Sequence, residues 1–302
     1  MRTLLELLVF WLAANLLHRL WIGVRLHLWE RTLPRDAQGL RPGVAPYTVG
    51  AGPIAVLWVH GFADSPAIFR RMAQRLADTG HFTCHAMRLP GAGEPLRQSA
   101  QVTLTDLDEV LRREITNLRR AHAQVWLAGH SMGAGLALRT ALDPSAGIAG
   151  VVALAPLICV SRRRSPLLPP AVWFRLARVV FCLSPTFESC FASTTTAVDD
   201  PAFVTRRDRF IPFNTYCSVF AIVNGLATRA PALRVPVFAA LAAEDRVVDS
   251  AAAERWFSAV TAPKRVRIIP DVAHELPMQL GWQQLTDEMA DFIEAQERPG
   301  IQ

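Results

Sequence analysis

Beyond residue 50 the chain alternates between short, wholly apolar runs and longer stretches whose apolar residues recur at helical spacing. Continuous apolar runs of strand length are expected where helices cover both faces of a sheet. The pattern predicts strands near 54–59, 82–88, 124–128 and 148–154, the last ending at Ala155-Pro156. Between them it predicts helices over 66–79, 104–120 and 131–142. Ser65 and Pro66 read as the N-cap and first-turn residue of the helix that starts there. After an interruption the rhythm resumes, with helices at 216–229, 250–260 and 277–295 and strands at 235–241 and 265–269. Strands alternating with helices imply a parallel α/β sheet. Upstream, Pro42, Gly43, Pro46, Gly50, Gly52 and Pro53 punctuate short apolar stretches that suit edge strands.

Two stretches depart from this rhythm. Residues 158–215 carry many prolines, the triplet Arg162-Arg163-Arg164 and the aromatics Trp173, Phe174, Phe181, Phe187, Phe191, Phe203 and Phe213. We read them as a cap inserted into the sheet. At the other end, residues 3–29 open with TLLELLVFWLAANLL, interrupted only by Glu6 and Asn15. From Asn15 onward a helical period puts Asn15, His18, Arg19 and Arg25 on one side and Leu16, Leu17, Leu20, Trp21, Val24 and Leu28 on the other. This is an amphipathic helix, and it has two readings. It is a monotopic membrane anchor, with Trp11, Trp21 and Trp29 at headgroup level, or it packs its apolar face on the protein body or a second subunit. Cleavage as a signal peptide is disfavoured, because a cut after Ala13 or Ala14 would leave Trp11 or Leu12 at the third position upstream. Arg19, Arg25, Arg31, Arg35 and Arg41 follow the segment and only Arg2 precedes it, so either membrane arrangement leaves the rest on the cytoplasmic side. The division is therefore a helix and linker over 1–38, then one domain over 39–302 with a cap at about 158–215.

Composition supports a folded chain and narrows its partners. Of 302 residues 51% are apolar and 19% charged, enough to bury a large core. The net charge of +6 is carried almost wholly by scattered arginines, Lys264 being the sole lysine. A nucleic-acid surface would cluster its basic residues, and this chain does not. The cysteines, Cys84, Cys159, Cys182, Cys190 and Cys217, are odd in number and contain no CxxC pair, so no disulfide framework is implied. His81 and His85 lie four apart on a strand, about 13 Å from one another, and cannot share a metal ion. No cofactor or metal is expected.

The chemistry concentrates in Gly129-His130-Ser131-Met132-Gly133, set between a buried strand and a helix. A G-x-S-x-G run in that context holds its serine on a sharp turn above the strand ends, and Gly129 and Gly133 give strand and helix room to approach. A serine hydroxyl needs a base, and the base needs an orienting acid. Asp245 follows the strand VPVFAAL and His274 follows VRII, both where α/β sheets place ligands. Asp245 is preferred to Asp249, which precedes SAAAERWF as a helix N-cap would. Asp271 is too near His274 to come from a separate strand end and suits a turn. His130 within the elbow and His60 in HGF read as structural. Two backbone donors should hold a developing oxyanion: the amides of Met132, after the nucleophile, and of Phe62, after the first strong strand.

HGFADSP, GHSMG, EDRVVD and AHEL together resemble the α/β-hydrolases related to monoacylglycerol lipases, lysophospholipases and the serine aminopeptidases, a likeness spanning roughly residues 50–295. The resemblance implies an α/β-hydrolase fold and a serine hydrolase acting on carboxylic esters, with hydrophobic or lipid-like esters favoured by the aromatic cap. The same machinery serves thioesterases, acyltransferases and aminopeptidases, and a silent membrane-associated scaffold is the reading from outside enzymes.

Overall fold

A computed structural model describes residues 2–165, 167–189 and 208–297. Cys190, Phe191, Phe203 and the corresponding part of the expected cap lie outside the described residues.

The strands expected from the apolar runs form one sheet. Its members are β1 (Tyr47–Val49), β2 (Ile54–Val59), β3 (Phe82–Met87), β4 (Gln124–His130), β5 (Gly150–Leu154), β8 (Val237–Ala242) and β9 (Lys264–Ile269), while β6 (Thr186–Glu188) and β7 (Phe210–Pro212) pair apart from it. They lie in the order β1-β3-β2-β4-β5-β8-β9. Every pairing is parallel except that of β1 with β3, which is antiparallel at the edge. All residues of β2 and β8 are buried, as wholly apolar runs require when helices cover both faces. β9 closes the opposite edge with exposed Lys264, Arg265 and Arg267, charges that discourage further strand pairing.

The helices follow from periodicity and caps. α2 (Arg70–Asp78) buries Met72, Ala73 and Leu76, and α4 (Leu104–Leu118) buries Leu107, Leu111 and Ile115 at spacings of one turn. Thr103 and Asp106 close a capping box at the start of α4. The segment expected as one helix from residue 66 opens instead with a 3-10 turn, Pro66–Phe69. Ser65 precedes it in extended conformation and makes no side-chain cap; Pro66 does occupy the first turn. α5 (Met132–Ala141) is almost wholly buried between sheet and insertion.

Between β5 and β8 the chain leaves the sheet. This excursion carries α6 (Pro170–Val180), the antiparallel pair β6 (Thr186–Glu188) and β7 (Phe210–Pro212), and α7 (Phe213–Leu226). α7 starts three residues before the sequence pattern suggested, because Pro212 ends the strand and serves as N-cap. α8 (Ser250–Ser258) begins at Asp249, whose carboxylate accepts from the Ala252 amide at 2.9 Å. The C-terminal helix α9 spans Trp282–Glu297.

The N-terminal helix α1 (Arg2–Glu30) runs 29 residues and divides into two halves. Residues 2–14 are exposed on all sides, apart from half-buried Trp11. From Asn15 onward the helix docks on the body by its polar side. Asn15 and Ile22 are buried, and His18, Arg25 and Leu26 are half-buried. Leu16, Leu17, Leu20, Trp21, Val24 and Leu28 face outward and are exposed. This corrects the half of the packing reading in which the apolar face met the protein body. The physical reason is the partner surface: residues 180–188 offer a carbonyl, a hydroxyl and a carboxylate, which Asn15, His18 and Arg25 satisfy. Trp29 is also corrected. It packs on Phe210, ring centroids 5.5 Å apart, in a satellite core with Ile22, Leu26 and Leu96, and is not free to sit at headgroup level.

Candidate active site

The carboxyl ends of β2, β4, β8 and β9 converge on one side of the sheet, and each delivers one expected group. β4 ends at His130, and Ser131 takes a left-handed turn (φ 55°, ψ −118°) before α5 begins. That turn is held by its own backbone: Ser131 N–H donates to Leu154 O at 2.9 Å, and Ser131 O accepts from Gly135 and Leu157 N–H, each at 3.0 Å. The flanking glycines are required by clearance. A Cβ on Gly133 would sit 2.0 Å from Val59 O, and one on Gly129 would sit 2.5 Å from Ala134 N. Both distances are closer than real Cβ contacts, so no other residue fits without moving backbone.

His274 bridges Ser131 and Asp245. Its Nε2 lies 2.8 Å from Ser131 Oγ and its Nδ1 2.7 Å from Asp245 Oδ2. All three side chains are buried, with exposures of 6% or less. The second oxygen of Asp245 accepts from the amides of Val247 (2.7 Å) and Val248 (2.9 Å). Burial pushes the Asp245 carboxyl up, but the His274 ring beside it and the bonds from His274, Val248 and Val247 outweigh this and hold it below the ordinary carboxylate range. The acid therefore stays ionised at neutral pH. Asp249 caps α8 and lies outside this chain of bonds, and Asp271 occupies a turn with φ 55°.

The loop after β2 lies against Ser131. A Cβ on Gly61 would come within 3.1 Å of Ser131 Cβ, and Phe62 lines the same cavity as Ser131, Met132 and His274. Met132 is the first residue of α5, where backbone N–H groups have no intrahelical acceptor. Two histidines brace this loop and the base. His60 Nε2 accepts from the Leu89 amide and its Nδ1–H donates to Gly61 O, both at 3.0 Å. His130 Nε2–H donates to His274 O at 2.9 Å. The other pair considered for metal is engaged differently: His81 bonds Glu294 and His85 bonds Thr48. The left-handed non-glycine residues Ala63, Ser131, Ala155 and Asp271 all fall in these loops at the strand ends.

Above Ser131 opens a cavity of about 350 Å³. Its walls include Trp173, Phe174, Phe187 and Phe213, aromatics singled out in the sequence, together with Tyr216 and Phe220. Phe174 stacks on Phe213 at 5.2 Å and on Phe220 at 4.6 Å. Tyr216 and Phe220 were missed as cavity residues: the sequence placed them in a helix starting at 216 and left Phe213 in the insertion, so the aromatic face that the three share along α7 was not recognised. Glu188 and Glu275 also line the cavity, and no local pattern distinguishes them. Chemically, the arrangement lets His274 take the Ser131 proton during attack on a carbonyl whose substituent lies in an apolar, aromatic chamber.

Comparison with known proteins agrees with this architecture. Residues 53–280 match the family described as serine aminopeptidase, S33. The chain is similar to the dihydrolipoyllysine-residue acetyltransferase component of an acetoin cleaving system from Cupriavidus necator, 31% identical over 124 residues, 40% of this chain and 31% of that protein. It is also similar to a thermostable monoacylglycerol lipase from a Bacillus strain, 30% identical over 110 residues, 36% of this chain and 43% of that protein. The matches thus span less than half the length of either curated relative. Among solved structures, monoacylglycerol lipase from Paleococcus ferrophilus superposes with a TM-score of 0.70 at 19% identity, over 83% of this chain and 98% of that one. At that identity the likeness is one of fold.

Two predictions follow from the braced loops. Replacing Gly133 by Ala forces backbone apart at Val59 and should lower stability by about 2 kcal/mol or more, read as a reduced denaturant midpoint. Burial lowers the His60 pKa from 6.5 to about 4, so below pH 6.5 the unfolded chain takes up a proton that the folded chain refuses. Stability should therefore fall as the pH drops from 6.5 toward 4, by about 3 kcal/mol from this ring. A His60→Gln variant should lack that increment in its stability-versus-pH curve; curves that run parallel would refute the assignment.

Proposed function

Since this chain belongs to the serine aminopeptidase S33 family of α/β-hydrolases, we propose that it is a carboxylic ester hydrolase acting on hydrophobic, single-acyl esters of monoacylglycerol or lysophospholipid type. The observation that carries the reading is the unbroken Ser131–His274–Asp245 chain at the floor of an aromatic cavity. In the first step Ser131 Oγ attacks the ester carbonyl while its proton passes to His274 Nε2, and Asp245 stabilises the imidazolium. The amides of Phe62 and Met132 receive the oxyanion. Collapse of the intermediate breaks the carbonyl–alkoxy bond, and the leaving alcohol takes the proton from His274. Water then repeats the sequence on the acyl-enzyme and frees the acid.

Substrate class follows from the chamber. About 350 Å³ lies near the lower end of the range for ligand sites, roughly 300–1,000 Å³, and suits one acyl chain better than two. Its lining is aromatic and aliphatic, so chain burial supplies the binding free energy while the polar groups sit at the floor.

α1 supports a membrane-surface location. Leu4, Leu5, Leu7 and Phe10 are each more than 60% exposed. A helix apolar all round is stable in hydrocarbon or in a protein interior, not in water. Residues 2–14 make about 20 Å of free helix, enough to enter one leaflet and short of the roughly 30 Å hydrocarbon core. The docked half is tied to the body, which favours a monotopic anchor over a span. The excess of arginine after the segment favours the cytoplasmic face.

Turnover of p-nitrophenyl and monoacylglycerol esters of graded length is the direct test. Ser131→Ala and Asp245→Asn should each lower kcat by about 10⁴-fold or more without unfolding the protein. Activity confined to thioesters or aminoacyl amides would sink the ester reading. Deleting residues 2–14 should abolish co-sedimentation with phospholipid vesicles while soluble esters are still cleaved; undiminished vesicle binding would refute the anchor.

A further inference from the structure

The docked half of α1 packs Ile22, Leu26 and Trp29 on Leu96 and Phe210, and its polar contacts from Asn15 to Arg25 all fall on one short segment, residues 180–188. Asn15 Nδ2 donates to Val180 O at 2.8 Å, and His18 Nδ1 lies 2.7 Å from Ser184 Oγ. Arg25 grips Glu188 through both terminal guanidinium nitrogens, Nη1 to Oε2 at 2.6 Å and Nη2 to Oε1 at 3.1 Å, a forked geometry that fixes direction as well as distance. Arg209 shares that carboxylate, its Nε and Nη2 each 2.7 Å from Oε1, and pairing of β6 with β7 holds the backbone, so Arg25 ties α1 to a wall strand that is otherwise anchored from its far side. The other side of the same segment faces the cavity. Glu188 and Phe187 both line it, as do Ser131 and His274. Rings continue the contact inward: His18 lies on Phe181 with centroids 4.7 Å apart, Phe181 meets Phe187 edge-on at 5.8 Å, and Phe187 reaches Tyr216 at 6.4 Å. Tyr216 in turn packs on Phe62, the residue of the loop beside the nucleophile, at 5.4 Å.

A short segment with a polar latch on one side and pocket wall on the other transmits the position of the latch to the pocket. We infer that α1, besides any role at a membrane, is a positioning element of the acyl pocket, in which Arg25 holds Glu188 and, with His18 and Asn15, sets where Phe187 stands. This rests on the ester-hydrolase reading for its substrate but not for its geometry. It is a property of this chain's own arrangement: the family match begins at residue 53, so the strap lies wholly outside it. Arg25 and the helix around it are therefore specificity determinants that act through residues 181–188 on the long end of the acyl chain, away from the reacting carbonyl.

The two halves of α1 allow a clean test with soluble, monomeric substrates and no lipid. Arg25→Ala in the full chain should raise KM for p-nitrophenyl dodecanoate relative to the butanoate ester by about tenfold, and Arg25→Lys, which keeps the charge and loses the fork, should recover part of that ratio. Deletion of residues 2–14, which leaves the latch intact, should give the same acyl-length profile as the intact protein. Amide hydrogen exchange supplies the readout that needs no turnover: Arg25→Ala should speed exchange over residues 181–188 by about tenfold while the core strands stay protected. A profile and exchange pattern for Arg25→Ala that match the intact protein would overturn the inference. Should the intact protein cleave no ester, the proposed function fails, and the exchange result alone decides whether the strap holds the wall.

Discussion

The site depends on how closely α5 approaches the ends of β2 and β4. A sharp left-handed turn at Ser131 is possible only because Gly129 and Gly133 leave nothing between strand and helix, and that proximity is what brings the loop after β2 against the nucleophile. The strain is local. It is held by three backbone hydrogen bonds from Ser131 to the end of β5 and the first turn of α5, so a side chain with φ 55° persists because its surroundings leave it no alternative. Once that turn is set, the remaining groups need only arrive at neighbouring strand ends, which a parallel sheet guarantees.

Burial makes the polar groups there expensive unless each is answered. Asp245 is 3% exposed and would be driven neutral by its surroundings, yet one of its oxygens is held by two amides and the other by His274, so the charge is distributed over fixed dipoles instead of water. His60 takes the opposite course. It is buried without a carboxylate, its proton held at Nδ1 by Gly61 O and its other nitrogen occupied by the Leu89 amide, and it stays neutral. His274 has the Asp245 carboxylate against its Nδ1, whereas burial, the nearby Arg88 charge and the Leu89 amide on Nε2 all oppose a second proton on His60.

What the sequence disclosed and what it concealed divide along the same physical line. Sheet strands, helix caps such as Asp249, and the elbow were legible because local pattern determines them: burial on both faces makes a continuous apolar run, and a left-handed turn demands glycine beside it. The convergence of Asp245 and His274 on Ser131 could be expected because each follows directly on a predicted parallel strand. The side of α1 that meets the body could not. Periodicity separates Asn15, His18 and Arg25 from Leu16, Leu20 and Val24, but which face turns inward depends on residues 180–188, more than 160 positions away for the Asn15 bond. Trp29 was misplaced for the same reason, since Phe210 is its partner only in the folded chain. Tyr216 and Phe220 were hidden differently: their helix was expected, but which of its faces meets the cavity depends on how α7 packs against α6.

The inverted orientation of α1 has its own logic. A helix that docks in water mainly by its polar face keeps only the part of the hydrophobic term that Ile22, Leu26 and Trp29 supply, because the rest of its apolar side stays in water on both sides of the equilibrium. The docking of Asn15, His18 and Arg25 then rests on hydrogen bonds and one partly exposed ion pair, interactions that are weak when water competes for them. With hydrocarbon or headgroups against Leu16, Leu20, Trp21 and Val24, the apolar side is satisfied and the polar side faces a surface from which water is partly excluded, so the same bonds strengthen. The latch on residues 180–188 should accordingly be tighter at a membrane than in solution, and the pocket wall formed by Phe187 and Glu188 should be best ordered where a lipid ester is at hand.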